Sequence, residues 1–473
     1  MSDHPPRPKR IAVIGGGISG LAAAHRLNEL DGSLEISLFE ADDRVGGVLR
    51  TEQREGFLVE RSADMFTTKD PWALDLCRRI GFDDQLIETN SEHRKAFIVH
   101  RGKLVDVPAG FSLMSPSRVW PILATPLLSW RGKLRLGCEY FTKCKRDESD
   151  ESLASFSRRR MGREVYERII QPVVGGIYTA DPEKLSMAAT MPQFVRMERE
   201  HGSMIRGVKK ADGGRDQRQA ASGARYGLFV APRLGMSSFV EAIAERLPAN
   251  CIRLNASVEE LKRSGEQWQV SLDGRQLEFD GVVIATPAGR SAKLLSITST
   301  EISSDLSSIP HAGAAVVVVG YRKSQIQQPL NGFGFVVPLV ENRKILACSF
   351  SSVKFSGRAP TDSVLLRVFV GGACQNELAE LPDHELAPLV QQELVQLLGA
   401  TGEPSFREII RWKETMPQYH IGHLELVKKI EQQVEQLPNL ELAGNAYRGV
   451  GIPFCIHGGE QAAERLFYYH QEA

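Results

Sequence analysis

The sequence contains no stretch of about 18 consecutive apolar residues, the length that a membrane-spanning helix needs. Residues 1–10 are polar and proline-rich, and they lack the apolar core of a secretory signal. A predicted strand follows them at once. We therefore expect a cytoplasmic protein without a transmembrane helix.

Cysteine is scarce and net charge is absent. The seven cysteines are scattered, their number is odd and no Cys-x-x-Cys pair occurs, which argues against a disulfide framework and indicates a reducing compartment. Lys plus Arg and Asp plus Glu both total 58, so no basic excess is available for a nucleic-acid partner. The 473 residues predict about three domains at roughly 150 residues each.

A glycine motif follows the first predicted strand. The strand Ile11–Ile14 leads into Gly15-Gly16-Gly17-Ile18-Ser19-Gly20 and then into a helix, which is the context that a Gly-x-Gly-x-x-Gly dinucleotide motif requires. Gly15 permits the tight turn, Gly17 lets a pyrophosphate approach the backbone, and Gly20 allows close packing of helix and strand. The free N–H groups of the helix then face the phosphates.

An acidic residue and a second glycine pair extend this motif. Glu40 ends the second predicted strand, twenty residues past Gly20, where a carboxylate binds the ribose hydroxyls of an adenosine. Gly46 and Gly47 follow closely. Ordinary nicotinamide dehydrogenases do not need this second pair, whereas FAD extends past the first helix and its diphosphate passes a second stretch of bare backbone. The sequence therefore predicts FAD.

A glycine-rich stretch also precedes the last predicted helix. Residues 444–453 read Gly-Asn-Ala-Tyr-Arg-Gly-Val-Gly-Ile-Pro, which suits the phosphate and ribityl portion of FAD. Val450 and Ile452 can pack on the isoalloxazine ring. A generic glycine-rich loop is the alternative interpretation.

The order of predicted elements indicates an α/β protein. We expect a discontinuous, Rossmann-like (GR2-type) FAD-binding domain at 1–70, 226–305 and 430–473. A β-rich substrate-binding domain is expected at 71–100 and 306–429, and a helical subdomain at 101–225. The helix Met236–Leu247, the strand Cys251–Val258 and the final helix Gly459–Tyr468 are further predictions.

Two segments have two interpretations each. Residues 206–225 are polar, with six basic and two acidic residues, which predicts a flexible surface insertion or, alternatively, a basic binding site. Residues 111–130 are apolar but interrupted by prolines. They predict either buried helix and loop or an apolar surface that contacts a membrane or a substrate entrance.

Nearly the whole chain resembles the oxygen-dependent protoporphyrinogen oxidases, within the larger group of FAD-dependent amine oxidase-like proteins. The N-terminal string is shared by the whole group. Three stretches resemble this family in particular, namely Gly175–Pro192, Ala347–Pro360 followed by residues 369–372, and Met416–Val427 leading to Leu442–Ala463. One departure is Ser62-Ala63, where relatives carry Gly-Pro beside the flavin.

The motifs and the resemblance together define the expected cofactor site, with FAD bound non-covalently. The expected contacts are Gly15, Gly17, Ile18, Ser19, Gly20, Glu40, Arg44, Gly46, Gly47, Val258, Thr286, Gly444, Val450, Gly451 and Ile452.

The resemblance implies a six-electron oxidation of protoporphyrinogen IX to protoporphyrin IX, with O₂ as acceptor and H₂O₂ as product, in heme biosynthesis. The flavin carries the chemistry, so we expect no catalytic acid or base. Substrate contacts are expected from Gly176, Tyr178, Phe350 and either Phe333 or Phe335, with plain core packing as the alternative for the aromatic residues. The propionate-binding arginine of relatives falls among Arg94, Lys95 and Ala96. A solvated hairpin edge is the alternative for the two cations.

Other functions remain open. Coproporphyrinogen III oxidase is a close alternative with the same chemistry and four carboxylates on the substrate. An amine oxidase, a carotenoid desaturase and a non-enzymatic flavin-binding protein are further alternatives. His420 and His423 suggest a metal, but no carboxylate or cysteine nearby completes a ligand set, so a structural role is expected. Ferrochelatase, a homodimer and a peripheral membrane contact on the cytoplasmic face are expected as partners or associations.

Overall fold

The computed structural model describes residues 7–112, 114–116, 119–145, 147, 149–212 and 228–472. It contains both α-helices and β-strands. The helices are α1 (Ile18–Leu30), α2 (Trp72–Ile80), α3 (Val119–Ala124), α4 (Trp130–Gly137), α5 (Leu153–Met161), α6 (Arg163–Val165), α7 (Gln171–Tyr178), α8 (Met187–Thr190), α9 (Pro192–His201), α10 (Met204–Asp212), α11 (Met236–Ala244), α12 (Ala288–Leu295), α13 (Thr300–Ser307), α14 (Ser351–Lys354), α15 (Asn376–Ala379), α16 (Asp383–Leu398), α17 (His423–Val434) and α18 (Ile452–Glu472).

The strands form two large sheets and several small ones. They are β1 (Arg10–Ile14), β2 (Glu35–Phe39), β3 (Thr51–Arg54), β4 (Phe57–Glu60), β5 (Phe66–Thr67), β6 (Leu86–Glu88), β7 (Phe97–His100), β8 (Lys103–Asp106), β9 (Phe111–Ser112), β10 (Ser115–Pro116), β11 (Phe229–Pro232), β12 (Ile252–Arg253), β13 (Glu260–Ser264), β14 (Gln267–Leu272), β15 (Arg275–Phe279), β16 (Gly281–Ile284), β17 (His311–Arg322), β18 (Gly334–Val336), β19 (Ala347–Phe350), β20 (Ser363–Gly371), β21 (Phe406–Pro417) and β22 (Leu440–Leu442).

The first large sheet is parallel, with the strand order β12-β2-β1-β16-β22. Its short apolar strands are buried because both faces are covered. Helices α1, α2, α11 and α18 share one core on one face. The antiparallel strands β13–β15 and helices α12, α13 and α17 form the core on the other face. This confirms the α/β class and the sheet built from the beginning, middle and end of the chain.

Helices α1 and α18 cross at very short range. A Cβ atom on Gly459 would overlap the carbonyl oxygen of Ser19, so only glycine permits this approach. The crossing brings the first turn of α1 beside the first turns of α18. Both helices therefore begin at the same edge of the parallel sheet.

The second large sheet has the order β21-β17-β20-β19-β18-β7-β8. One face packs against α16, and the alternation of side chains decides which residues lie there. Phe97, Phe335, Cys348, Phe350 and Val368 belong to this core. The opposite face borders the helical region α3–α10 and the hairpin β3–β4; we name it the cleft face.

The helical region has its own apolar core and a buried ion pair. Arg160 contacts Glu139, and both side chains are fully buried. The Glu139 carboxylate also accepts hydrogen bonds from Ser203 Oγ and from the N–H of Met204, at 2.6 and 2.8 Å. It therefore fixes the start of α10. Of the helices that the structure describes, none is both long and apolar enough to cross a membrane.

Several predicted elements differ from the structure. The final helix begins at Ile452 rather than Gly459, and the expected strand Cys251–Val258 is reduced to Ile252–Arg253. Strand β21 was not predicted, because charged residues interrupt the alternation of apolar and polar residues that would indicate a strand. Residues 206–212 belong to helix α10 instead of a flexible insertion, while residues 213–225 lie outside the described residues. The domain boundaries stay a prediction, although α2 packs with the core of the parallel sheet.

Candidate active site

The turn between β1 and α1 is built from bare backbone. Gly15 has a φ of +106°, and a Cβ atom there would lie 2.7 Å from the carbonyl oxygen of Ala285. A Cβ atom on Gly20 would overlap the carbonyl oxygen of Gly15. In front of Gly17 the space is open, since nothing described lies within 4 Å of its Cβ position. This is the surface on which a pyrophosphate can approach the backbone.

Glu40 is fixed at the end of β2. Its Oε2 accepts the N–H of Gly16 at 2.7 Å, and its Oε1 accepts the N–H of Asp42 at 2.9 Å. Each carboxylate oxygen has a further lone pair for a hydroxyl donor. The position therefore suits the ribose contact that the sequence predicts.

The second glycine pair is joined directly to the first motif. Gly46 donates its N–H to Gly16 O at 2.7 Å, and Gly17 and Gly46 form a parallel bridge. The Arg44 guanidinium donates to the carbonyl oxygens of Val45, Leu49 and Gly47, at 3.0, 3.1 and 2.6 Å. Arg44 thus holds this loop in shape.

Thr286 lies on the same rim, whereas Val258 is a buried member of the core that contains α12, α13 and α17. Thr286 follows β16, and its Cγ2 is 3.2 Å from the Cβ position of Gly15. Ala256, just before Val258, donates its N–H to Glu40 O at 2.8 Å. The residues expected to contact the cofactor therefore come together at the carboxyl ends of the parallel strands, where α/β sheets bind ligands.

The C-terminal glycine loop is held by a motif whose role the sequence did not reveal. The Tyr419 hydroxyl donates to Asn445 O at 2.5 Å and accepts the N–H of Gly449 at 2.8 Å. The His423 ring stacks on Tyr419, with 4.0 Å between ring centroids, and its Nε2 lies 3.0 Å from Tyr447 O. Burial lowers the pKa of His423, so the ring is neutral and this Nε2 carries the donated proton.

This arrangement fits a flavin dinucleotide. Gly17 leaves the backbone open, Gly444 has a φ of +137° with nothing described nearer than 3.9 Å to its Cβ position, and two helices begin at this edge. Residues 15–20, Glu40 and Gly46-Gly47 would hold the adenosine and diphosphate, and residues 444–452 the ring end. Among the described residues, no group of three or more His, Cys, Asp or Glu side chains could hold a metal ion.

The expected aromatic contacts do not share one face of the second sheet. Phe335 and Phe350 lie in the core against α16, with ring centroids 6.0 Å apart, and Phe350 is fully buried. Their placement favours core packing, because the strands turn these side chains away from the cleft face. Phe333 precedes β18 and donates its N–H to Lys95 O at 2.8 Å.

Both expected cations have carboxylate partners, and Lys95 lies off the cleft face. Lys95 Nζ is 3.4 Å from Asp106 Oδ1 and lies over the Phe97 ring, on the side of the α16 core. Arg94 Nη2 is 3.3 Å from Glu88 Oε2. Side chains alternate between the two faces of the sheet along the chain that enters β7, and this alternation places Ala96 rather than Lys95 on the cleft face. A propionate contact from Lys95 would require its side chain to leave Asp106, whereas Arg94 keeps a buried Nε without a partner among the described residues. The propionate contact stays a prediction for both residues.

Gly176 and Tyr178 do border the cleft face. The Cβ position of Gly176 is 3.4 Å from Val336 Cγ1, so α7 lies directly against β18. Tyr178 donates its hydroxyl to Thr190 O at 3.3 Å, and burial raises its pKa to about 12. Its phenol therefore remains protonated at neutral pH.

Phe369 is an aromatic residue of the cleft face that the sequence analysis missed as a candidate. Val364, Leu366, Val368 and Val370 of β20 point into the α16 core, so Phe369 points the other way and is half-buried. It lies in register between Val316 and Ala347. The period-two pattern of this strand was the signal that could have identified it.

Replacing Gly17 by Val should abolish flavin binding while the protein stays folded. The β-branched side chain would occupy the open surface that a pyrophosphate needs. The measurement is flavin absorbance per protein after reconstitution with FAD. Gly32→Val is the matched control, because Gly32 also has open space at its Cβ position but lies after α1. Normal flavin content in Gly17→Val would contradict the site.

Replacing Tyr419 by Phe should weaken FAD binding about tenfold. The change leaves a carbonyl oxygen and an N–H of the C-terminal loop without their partner, at a cost of about 1–3 kcal/mol for each buried group. FAD titration of the apoprotein measures the effect, and Tyr468→Phe on the exposed side of α18 is the control. An unchanged Kd would show that the hydroxyl does not hold the loop for the cofactor.

Comparison with known proteins places the chain among flavoproteins. The family model for flavin containing amine oxidoreductases matches residues 18–467. Coproporphyrinogen III oxidase of Bacillus subtilis (strain 168) is 32% identical over 98% of both chains. Protoporphyrinogen oxidase 2 of Arabidopsis thaliana is 29% identical over 98% of this chain and 94% of its own. A crystal structure from Exiguobacterium sp. 255-15 has a TM-score of 0.86 at 29% identity, covering 98% of this chain and 99% of that one.

Proposed function

The chain belongs to the flavin containing amine oxidoreductase family, and from that premise we propose that it is an FAD-dependent oxidase that converts a porphyrinogen to the porphyrin. The observation that carries the proposal is full-length similarity to porphyrinogen oxidases together with the glycine-lined edge that fits a flavin dinucleotide. Six electrons leave the substrate two at a time, and O₂ accepts them with release of H₂O₂. Heme biosynthesis is the pathway that this reaction serves.

The flavin, when bound, supplies the hydride acceptor for this chemistry. The residues of the chain position the substrate and exclude water. Val336, Phe369 and Gly176 offer an apolar, close-fitting wall, which suits a large tetrapyrrole. Tyr178 keeps its proton at neutral pH and is unsuited to act as a base. Orientation alone can lower a barrier by several kcal/mol.

We propose that the FAD is held without a covalent bond. Cys455 is the cysteine that follows the C-terminal glycine loop, and burial raises the pKa of its thiol to about 11. The thiol is therefore protonated and a weak nucleophile. Its Sγ lies 3.9 Å from Val450 O.

Two porphyrinogens are candidates for the substrate. Three bacterial coproporphyrinogen III oxidases are 32–34% identical to the chain, whereas the plant protoporphyrinogen oxidases are 28–29% identical. This difference favours coproporphyrinogen III, which carries four carboxylates. Protoporphyrinogen IX, with two, is the second candidate.

A fluorescence assay with both porphyrinogens tests the function, because only the oxidised porphyrins fluoresce. We expect flavin-dependent porphyrin formation with stoichiometric H₂O₂, and a higher kcat/KM for coproporphyrinogen III. The apoprotein and Gly17→Val serve as controls. A flavin-loaded protein that oxidises neither substrate faster than air alone would refute the proposal.

We also propose that the helical region contacts a lipid surface. Five apolar residues of this region are exposed, with Trp130 and Leu134 each 71% and Phe141 79% accessible. We name Trp120, Leu123, Trp130, Leu134 and Phe141 the exposed apolar surface. Lys133 lies over the Trp130 ring, 4.9 Å from its centroid, and donates to Leu123 O at 2.7 Å. Tryptophan beside lysine is typical of interfacial contacts. Cytoplasmic localisation, a homodimer and a contact with ferrochelatase remain predictions.

Co-flotation with anionic phospholipid vesicles tests this surface. We expect the protein to float with the vesicles and the double variant Trp130→Glu, Leu134→Glu to lose this, because charge at the interface opposes burial of the apolar face. Ile297→Glu is the control, since Ile297 is 60% exposed elsewhere. If the protein does not float but forms a dimer, and if the double variant is monomeric, the surface would instead serve self-association.

A further inference from the structure

An ion cluster lies buried between the parallel-sheet region and the second sheet. Lys354 Nζ is 2.6 Å from Asp64 Oδ2, and Arg367 Nη1 is 3.3 Å from the same oxygen. Asp64, Lys354 and Arg367 are 8%, 5% and 2% exposed. We name these three residues the buried ionic cluster. Burying charged groups costs free energy. Three of them at one place therefore call for a functional or structural reason.

The cluster is tied to the loop that follows β4. Arg367 donates to Ser62 O, and the Ser62 hydroxyl donates to Val48 O at 2.6 Å. Val48 directly follows the second glycine pair. Residues 61–64 therefore lie between the cofactor cradle and the cleft face, on which Arg367 is placed by the alternation of β20.

The charges of this region do not cancel. Burial opposes ionisation of Asp64, but the Lys354 ammonium and the Arg367 guanidinium lower its pKa to about 2. Arg358 adds a third buried cation, which donates to the carbonyl oxygens of Arg233 and Pro232 at 2.7 and 2.8 Å. Glu60 is the other nearby carboxyl group, and burial raises its pKa. Burial lowers the pKa of Lys354, and the adjacent Asp64 carboxylate opposes this shift by holding the ammonium at 2.6 Å. With Lys354 protonated, three cations face at most two anions.

Two polar atoms beside the cluster have no partner among the described residues. Arg367 Nε and Ser349 Oγ are both buried and unbonded. Ser349 lies directly opposite Arg367 in the register of β19 and β20, so both side chains belong to the cleft face. Two adjacent free donors on this face indicate that an electron-rich group approaches here.

We propose that the buried ionic cluster is an electrostatic determinant of the flavin, whose reduced form it stabilises through its excess positive charge. Hydride transfer would move two electrons and one proton from the substrate to the flavin, and the substrate cation left behind would release an N–H proton to solvent. One additional negative charge would then remain on the flavin. The inference rests on the flavin that the proposed function requires. Protein charges near a flavin ring are among the means by which a protein tunes its electronics.

Sulfite titration of the flavin-loaded protein tests the sign of this effect. Sulfite adds to the ring and, like reduction, leaves a negative charge there. Lys354→Met should weaken sulfite binding about tenfold, and Asp64→Asn should strengthen it about tenfold, since a unit charge on the order of 10 Å away at an effective dielectric constant of about 20 has roughly this effect. The reduction equilibrium against a reference dye should shift in the same directions, about 30 mV for each tenfold change.

The double variant and surface controls separate charge from structure. Lys354→Met with Asp64→Asn conserves net charge and should return sulfite binding to near the original value. Lys413→Met removes an exposed charge from β21 and Asp362→Asn one from the turn before β20, and neither should change sulfite binding. If Lys354→Met does not fold, two other variants test the proposal. We then expect tighter sulfite binding in Asp64→Asn and unchanged sulfite binding in Lys354→Arg.

Shifts of the same sign in Lys354→Met and Asp64→Asn, or no shift in either at normal flavin content, would overturn the proposal. The cluster would then hold the loop only structurally. These outcomes are distinct from failure of the proposed function. That failure would be an original protein that binds no flavin or oxidises no porphyrinogen.

Discussion

The carboxyl edge of the parallel sheet is the constraint on which the candidate active site depends. Strands β12, β2, β1, β16 and β22 are parallel, so the turns that follow them open at the same edge. The first and last of these turns, at Gly15 and Gly444, lie 429 positions apart in the sequence. Hydrogen bonds such as Gly46 N–H to Gly16 O join the turns into one surface of bare backbone. A side chain at Gly17 would fill that surface.

The second sheet supplies the opposite wall, and its alternation assigns the residues. One face packs against α16 and carries Phe335 and Phe350, so the cleft face carries Val336, Ser349 and Phe369. The alternation of side chains along a strand therefore places Phe335 and Phe350 in the core and Phe369 on the cleft face. Tyr419 and His423 connect this wall to the C-terminal glycine loop. The two halves of the site are thus positioned together.

The cofactor edge could be predicted from sequence because local motifs encode it. The directions of the side chains in the second sheet could not be predicted in this way. Residues 15–20, Glu40 and residues 444–451 each carry their signal within a short stretch. Lys95 and Phe350 were identified by resemblance, and a one-residue difference in strand register turns a side chain to the other face. The pairing of Asp64 with Lys354 has no local signal at all, because five of the seven strands of the second sheet separate them in the chain.

Anaerobic mixing of the flavin-loaded protein with a porphyrinogen tests the central claim most directly. We expect the yellow flavin absorbance to bleach as porphyrin fluorescence rises, and we expect O₂, when admitted, to restore the colour with formation of H₂O₂. A flavin that stays oxidised in the presence of excess coproporphyrinogen III and of excess protoporphyrinogen IX would contradict it.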